Sequence, residues 1–198
     1  MTTEADEVAT LDQALAQTGR VIASVGDDGW SLATPCAGWD VAEVVRHLVA
    51  SIRMMRVSAE GGTPQRGQSD PVEGDLVAAY REAAAGLLDA WSSPGALEST
   101  RDFGGHPVPA AFALGVHRIE VVIHGWDVAA ARGRTGELDP VLAEIALASS
   151  RAMLRPEFRG TAAEGKHFGP EVPVPEDAPA YDRLAGWLGR SPGASQRL

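Results

Sequence analysis

The residues with the clearest chemical potential lie in the stretch 117–127, inside a segment that is otherwise apolar. On an α-helix of about 3.6 residues per turn, His117, Glu120 and His124 fall within roughly 60° of one another. The positions between them hold Ile119, Val121, Val122 and Ile123. We therefore expect this helix to be buried, where a carboxylate beside imidazoles is costly unless a partner compensates it. A divalent cation is such a partner, so the stretch predicts a metal site.

A further ligand is offered by His47, which lies in an earlier segment with apolar residues at the neighbouring helical positions. An isolated histidine on an apolar face is more often a core residue bonded to a backbone carbonyl. Glu120 and His124, one turn apart on another helix, would combine with His47 into two imidazoles and one carboxylate. This donor set suits zinc, iron or nickel and leaves coordination positions open for water and substrate.

Each of these residues has a simpler alternative. Glu120 and His124 could form an intrahelical pair worth about 0.2 to 0.5 kcal/mol at an exposed site, although the apolar surroundings argue against exposure. His117 lies roughly 10 Å from His124 along the helix axis, so one metal cannot easily bind both together with Glu120. His117 could be a fourth ligand, a general base or a neighbour of the site. We favour a pocket-lining or structural role.

Further side chains flank this set. Asp127 could orient the His124 imidazole as a hydrogen-bond acceptor, cap the loop 34–39, or lie at the surface near the helix end. Trp126 and Trp39 are expected in the core or in the pocket wall. We expect Cys36 to be a packing residue rather than a nucleophile or redox group, because a reactive thiol needs a nearby cation or helix N-terminus.

Other motifs give little support to other chemistries. His106 and His167 lie in Gly- and Pro-rich loops, and neither is assigned a role. The sequence contains no Ser-His-Asp order, P-loop, dinucleotide fingerprint or CxxC pair. Hydrolase triads, NTPases and disulfide oxidoreductases are therefore without motif support.

The elements that must position these residues are helices. Hydrophobic residues at helical spacing predict helices at about residues 4–26, 40–58, 73–91, 109–131, 139–154 and 181–188. Asp40 and Glu43 are typical of a capping box, and Pro109 suits the first turn of a helix. Residues 100–108 predict a short extended pair turning at Gly104–Gly105. The segment 59–71 is expected to be an exposed connection, and 189–198 a disordered tail.

This pattern predicts an all-α protein, an antiparallel four-helix bundle with additional short helices and a loop-rich C-terminal segment. Metal sites in such bundles assemble from side chains that face inward. The length of 198 residues favours a single domain over 1–198. Its core would cover about 4–154, with 155–198 as a loop-rich extension.

Composition limits the partners. The net charge is -10 and no basic run is present, which argues against nucleic acid and anionic membranes as partners. The N-terminus lacks the features of a signal peptide, and no apolar run approaches the roughly 20 residues that span a bilayer. Cys36 is the single cysteine, consistent with a reducing compartment. We expect a cytoplasmic monomer or homodimer.

Several stretches resemble one known family. Residues 34–49 have the sequence TPCAGWDVAEVVRHLV and residues 120–129 have EVVIHGWDVA, with further similarity at 168–179, Asp182 and Arg190. They are similar to actinobacterial metal-binding proteins related to the N-terminal domain of mycothiol-dependent maleylpyruvate isomerase, within the DinB/YfiT-like superfamily. The paired TPCxGW...HLV and HGWDxA segments are specific for the group but not for one reaction.

The resemblance implies a four-helix bundle with a metal held by a histidine on the second helix and by two residues four apart on a later helix. Those positions are His47, Glu120 and His124. It also implies a divalent-metal protein, with zinc first and nickel or iron as alternatives. The partner implied is a small-molecule thiol or electrophile, with mycothiol as a potential co-substrate of a transferase or isomerase. The alternative is a non-catalytic, metal-dependent binding or regulatory module. The isomerase itself has a second domain, and the segment after residue 155 is short for one, which argues against maleylpyruvate isomerisation.

Overall fold

The computed structural model describes residues 3–64, 72–103, 105–160 and 168–193, and most of them are helical. The elements are α1 (Glu4–Ala23), α2 (Val41–Ala59), α3 (Leu76–Ser92), β1 (Thr100–Phe103), β2 (His106–Pro109), α4 (Ala110–Ala131), α5 (Pro140–Met153) and α6 (Ala180–Trp187). Single 3-10 turns lie at Thr135–Glu137 and Pro156–Phe158. Among the helices in these ranges, none combines the length and apolar character that crossing a membrane requires.

Local sequence explains where the helices begin. Asp40 caps α2 as predicted, because its carboxylate accepts from the Glu43 backbone N–H at 2.8 Å while the Glu43 side chain accepts from the Asp40 N–H at 2.8 Å. Thr3 and Asp6 form the same reciprocal box at the start of α1. Such caps satisfy N–H groups that have no partner within the first helical turn. Helix α1 ends at Ala23, short of the predicted 26. There the N–H groups of Ser24 and Val25 donate to carbonyls three residues back, at 3.2 and 3.0 Å, which tightens the last turn.

Four helices form the bundle, and the all-α prediction is confirmed. Helix α4 packs against α1 and α2, and α3 closes the bundle by packing against the same two helices. Helix α4 is buried over most of its circumference, as its apolar sequence predicts. Gly125 permits the close approach of α1, since a Cβ atom at this position would collide with the Thr18 side chain.

The helices do not simply alternate in direction. Glu7 near the start of α1 pairs with Arg118 at 2.6 Å, and Ser24 beyond its end accepts from Arg132 at 2.6 Å, so α1 runs parallel to α4. Helix α2 runs the opposite way to α4, because its His47 lies beside Glu120 whereas Ser58 near its end donates to Asp102 of β1, which precedes α4. The long connections between the bundle helices allow this arrangement, which tight hairpins would not.

The remaining elements lie around the bundle. β1 and β2 form the predicted antiparallel pair, with Thr100 opposite Pro109, although Gly104 of the predicted turn lies outside the described residues. Helix α5 packs on α4, and α6 packs on α5 and α4. The prediction of a disordered tail is wrong for residues 189–193, which follow α6 in an ordered turn, and 194–198 lie outside the described residues. Residues 65–71 of the predicted connection lie outside them as well.

Candidate metal centre

The facing sides of α2 and α4 bring His47, Glu120 and His124 together. The Nε2 atom of His47 lies 3.0 Å from Glu120 Oε1, and Nε2 of His124 lies 3.4 Å from the same oxygen. One potential ligand atom from each residue lies within 4.8 Å of the other two. The two imidazole rings meet edge to face with their centroids 5.0 Å apart. Two helices therefore present two nitrogens and one oxygen to a common point.

The second ring nitrogen of His124 is held by Asp127. The carboxylate can only accept, so Nδ1–H of His124 donates to Asp127 Oδ2 at 2.9 Å. Asp127 is fully buried, so it does not occupy the surface position that the sequence left open. Its carboxylate is the hydrogen-bond acceptor of the His124 imidazole. Because a helix places residues i and i+3 on neighbouring positions, the pair forms within α4 itself.

Arg190 compensates the buried charge of Asp127. Its Nε donates to Oδ1 at 3.0 Å and its Nη2 donates to Oδ2 at 2.9 Å, a bidentate arginine–carboxylate pair. Burial alone would raise the pKa of the Asp127 carboxyl, but the charge of Arg190 and the hydrogen bonds from His124 and Arg190 lower it below its usual value. Asp127 therefore stays ionised and keeps accepting from His124.

Charge interactions outweigh burial in setting the pKa values of Glu120 and His124. Burial alone would raise the pKa of Glu120, but the charges of His124 and His47 and their hydrogen bonds hold it well below its usual value. Burial alone would lower the pKa of His124, but Glu120 and Asp127 more than offset it and raise the pKa to about 9. The raised pKa favours the protonated form of His124, which lies between the two carboxylates.

The site is partly exposed to solvent at His47 of α2 and Glu120 of α4. The side chains of His47 and Glu120 are 37% and 25% exposed, whereas that of His124 is 6% exposed. Trp39 lies beside the opening, with its ring centroid 4.7 Å from that of His47. The loop that carries Trp39 is closed by Thr34, whose N–H and hydroxyl both donate to the Trp39 carbonyl, at 3.1 and 2.8 Å. Trp39 therefore lies beside His47, and its role in a pocket wall stays a prediction.

Cys36 in the same loop is half-buried and free. Burial raises the pKa of its thiol, and the charges of Asp127 and Glu120 act in the same direction against the opposing effect of Arg190. A thiol with a raised pKa is a weak nucleophile at neutral pH. The environment is therefore consistent with the packing role favoured from the sequence.

His117 belongs to a different contact. Its Nδ1 accepts from Trp91 Nε1–H of α3 at 3.1 Å, and the residue is only 3% exposed. Burial lowers the pKa of His117 to about 3, so the ring is neutral. His117 is not among the clustered ligand atoms within the described residues. Of the alternatives left open by the sequence, the structural one agrees with this position.

The remaining predicted residues lie away from the cluster or within the core. Trp126 is buried in the bundle at 2% exposure. His106 is exposed at the start of β2, and His167 lies outside the described residues.

The sequence analysis assigned no role at the site to Ser51 or to Arg190, although Arg190 is among the residues that carry the family resemblance. Ser51 lies one turn after His47, and its Oγ is 3.4 Å from His47 Nε2. The i, i+4 spacing on the face of His47 was the available signal for Ser51. For Arg190, the signal was the requirement that a buried Asp127 have a cationic partner.

Comparison with known proteins agrees with this architecture. The sequence profile of the mycothiol maleylpyruvate isomerase N-terminal domain matches residues 11–129. Two Mycobacterium tuberculosis proteins, from strains CDC 1551 / Oshkosh and ATCC 25618 / H37Rv, are each 35% identical over 178 residues, covering 86% of this chain and 90% of their own length. Both are described as uncharacterized proteins. No solved structure matches the chain with significance. Because the profile covers more than half of it, the chain belongs to the family of the mycothiol maleylpyruvate isomerase N-terminal domain.

Proposed function

We propose that His47, Glu120 and His124 hold one divalent cation and that the site serves chemistry on a low-molecular-weight thiol. The observation that carries this proposal is the convergence of two imidazole nitrogens and one carboxylate oxygen within 4.8 Å of one another. This is a common donor set for divalent transition metals, and it leaves positions open. Zinc is the first candidate, and nickel and iron accept the same donors.

The surroundings of the cluster also fit a cation. Histidines that bind metals almost always donate their other ring N–H to a carboxylate, a carbonyl or water, and His124 donates Nδ1–H to Asp127 at 2.9 Å. Ligands must also be deprotonated, and the lowered pKa of Glu120 keeps its carboxylate ionised. The ionised carboxylate of Glu120 and the hydrogen bond from His124 to Asp127 therefore match what a cation needs.

A divalent cation with open positions supplies Lewis acidity, which lowers the pKa of a thiol or of water placed on it. The residues of the chain determine how such a molecule arrives. The exposed edges of His47 and Glu120 define the approach from α2, and Trp39 flanks it. His124 and Asp127 close the opposite, buried side.

The charges around the site favour an anionic partner. Glu120 and Asp127 carry two negative charges, while Arg190 and a divalent cation would carry three positive ones between them. One positive charge would remain, which a thiolate would neutralise at close range. Cys36 is a poor source of that thiolate because of its raised pKa, so we propose that the thiol comes from a small molecule.

The family supports a class of thiol, because the matched domain is described as that of a mycothiol maleylpyruvate isomerase. We propose a mycothiol-type thiol as co-substrate, in a transfer to or an isomerisation of a small electrophile. A binding module without turnover would use the same cation site, so the experiment must separate the two.

Cobalt-substituted protein titrated with a low-molecular-weight thiol tests the proposal. We expect a sulfur-to-cobalt charge-transfer absorption in the wild type and its loss in His124→Ala. The His106→Ala variant, which removes an exposed histidine outside the cluster, is the matched control and should keep the absorption.

Thiol consumption with a panel of electrophiles then separates enzyme from binding module. Consumption that depends on the cation and on His124 supports a transferase or isomerase. Absorption without consumption assigns the site to a binding module, and absence of the absorption from cobalt-loaded wild type rejects the thiol.

A further inference from the structure

The segment after α6 contributes a charged side chain to the buried side of the candidate metal centre. Arg190 reaches across 63 positions of sequence to Asp127 and contacts both carboxylate oxygens, through Nε at 3.0 Å and Nη2 at 2.9 Å. Its side chain is 13% exposed and that of Asp127 is 0% exposed. Arg190 lies outside the region 11–129 that the family profile matches. The site therefore draws on a part of the chain beyond that region.

The backbone at the end of α6 directs Arg190 toward α4. The Gly189 N–H donates to the Gly186 carbonyl at 3.0 Å, and the Arg190 N–H donates to the Ala185 carbonyl at 2.9 Å, which together form a Schellman motif. Gly189 has φ +85°, the left-handed conformation that this motif requires. A Cβ atom on Gly189 would lie 2.9 Å from the Cα of Gly169, so the position has no room for a side chain.

Helix α6 is a firm support for this turn. Leu184 and Ala185 are fully buried, and the Val172 N–H donates to the Gly186 carbonyl at 2.9 Å. At the other end of the helix, Gln17 of α1 donates to the Tyr181 hydroxyl at 2.7 Å. The turn that carries Arg190 is therefore anchored by a helix that is packed at both ends.

The contact between Arg190 and Asp127 determines the orientation of the imidazole of His124, one of the proposed metal ligands. Asp127 Oδ2 accepts from both Arg190 Nη2 and His124 Nδ1, each at 2.9 Å, so the guanidinium orients the carboxylate that orients the imidazole. A hydrogen bond at one ring nitrogen sets which nitrogen remains for a ligand and where it points. Removal of Arg190 would leave Asp127 as a buried charge without its cation, free to rotate toward other donors.

We infer that Arg190 is a positioning residue that acts through Asp127 to hold His124 Nε2 toward His47 and Glu120. This inference rests on the proposed cation site and extends it to the C-terminal segment. It assigns to the short α6 and its turn a role in metal affinity, not only in packing.

Zinc affinity measured by competition with a chromophoric chelator tests the inference. We expect Arg190→Gln to weaken zinc binding by about ten- to a hundredfold, the usual effect of losing a residue that orients a ligand. Arg190→Lys should recover only part of the loss, since an ammonium cannot make the bidentate contact. The d–d absorption of the cobalt form should change in Arg190→Gln, because the position of a ligand changes.

Three further variants separate positioning from packing. Arg183→Gln removes an arginine within α6, which pairs with Glu144 of α5 outside the site, and should leave zinc affinity unchanged. Asp127→Asn should weaken zinc binding, and adding Arg190→Gln to it should weaken binding little further, because both act through one contact. Circular dichroism identifies any variant that has lost the fold.

The outcomes distinguish the two proposals. Wild-type protein without zinc affinity overturns the cation site and this inference with it. Zinc binding that is equally tight in wild type and Arg190→Gln, or equally weakened by Arg183→Gln, overturns the inference alone. An effect of Arg190→Gln that is undiminished in the Asp127→Asn background also contradicts it, and this comparison holds even if Arg190→Gln lowers stability.

Discussion

At the scale of single residues, the two histidines of the candidate site both face one atom, Glu120 Oε1. It accepts from His47 at 3.0 Å and lies 3.4 Å from His124 Nε2, so protons occupy the nitrogens that a cation would use. The carboxylates Glu120 and Asp127 enclose His124 from both sides and raise its pKa to about 9 despite burial. Protons and cations therefore compete for this imidazole.

This competition predicts the pH dependence of zinc affinity. Below a pH of about 9, metal-free His124 carries a proton that zinc must displace, so the apparent affinity should fall by roughly tenfold for each pH unit in that range. Chelator competition across neutral pH measures the slope. Calorimetry in two buffers of different ionisation enthalpy should show release of about one proton at neutral pH. An affinity that does not change with pH would contradict ligation by His124.

At the scale of elements, much of the fold is predictable because its signals are local. The capping box of Asp40 and Glu43 and the position of Pro109 predict the starts of α2 and α4 within about a residue of the observed ones. The convergence of His47 with Glu120 and His124 was accessible as well, because each residue lies on an apolar face that a bundle must turn inward.

Other features depend on contacts between distant segments. Two such contacts are that of Trp91 with His117 and that of Arg190 with Asp127. They depend on which elements are neighbours, and the periodicity of one helix carries no information about that. The short α6 and its glycine turn also follow a loop-rich stretch, which favoured the wrong prediction of a disordered tail for residues 189–193. The parallel course of α1 and α4 is likewise a property of the long connections.

The turn after α6 makes a prediction about stability. Gly189 combines a φ of +85° with a Cβ position 2.9 Å from Gly169, whereas Gly193 has a φ of +82° with nothing within 4 Å. Gly193→Ala should cost only the left-handed conformation, about 1 kcal/mol of unfolding free energy. Gly189→Ala should cost a further 1 to 3 kcal/mol or so from overpacking. Chemical denaturation of both variants measures the difference, and equal losses would show that the close approach of Gly169 is unimportant.

At the scale of the whole molecule, the bundle buries two histidines in opposite states. His124 lies between carboxylates and is charged without a cation, while His117 accepts from Trp91 and is neutral, with its pKa lowered to about 3 by burial. The charged form of His117 is disfavoured in the folded protein but freely formed in the unfolded chain. Folding therefore excludes a proton that the unfolded chain binds below its ordinary histidine pKa of 6.5.

His117 should accordingly make the protein less stable in acid. The unfolded state binds more protons as the pH falls below 6.5, so unfolding free energy should decrease by up to about 1.4 kcal/mol per pH unit from this residue alone, until a pH near 3. His117→Gln keeps an acceptor for Trp91 without a titrating group, and it should show a shallower decline in denaturation experiments between those limits. Parallel pH profiles for the two proteins would contradict a buried neutral His117.

The central claim is that His47, Glu120 and His124 form one cation site across α2 and α4. Metal analysis of protein purified without chelator and without a nickel column tests it most directly. The account predicts about one equivalent of divalent metal in the wild type and in His106→Ala, and a loss of that metal in His47→Ala and in His124→Ala. Metal content that is unchanged in folded His47→Ala and His124→Ala would contradict it, as would wild-type protein that takes up no divalent ion.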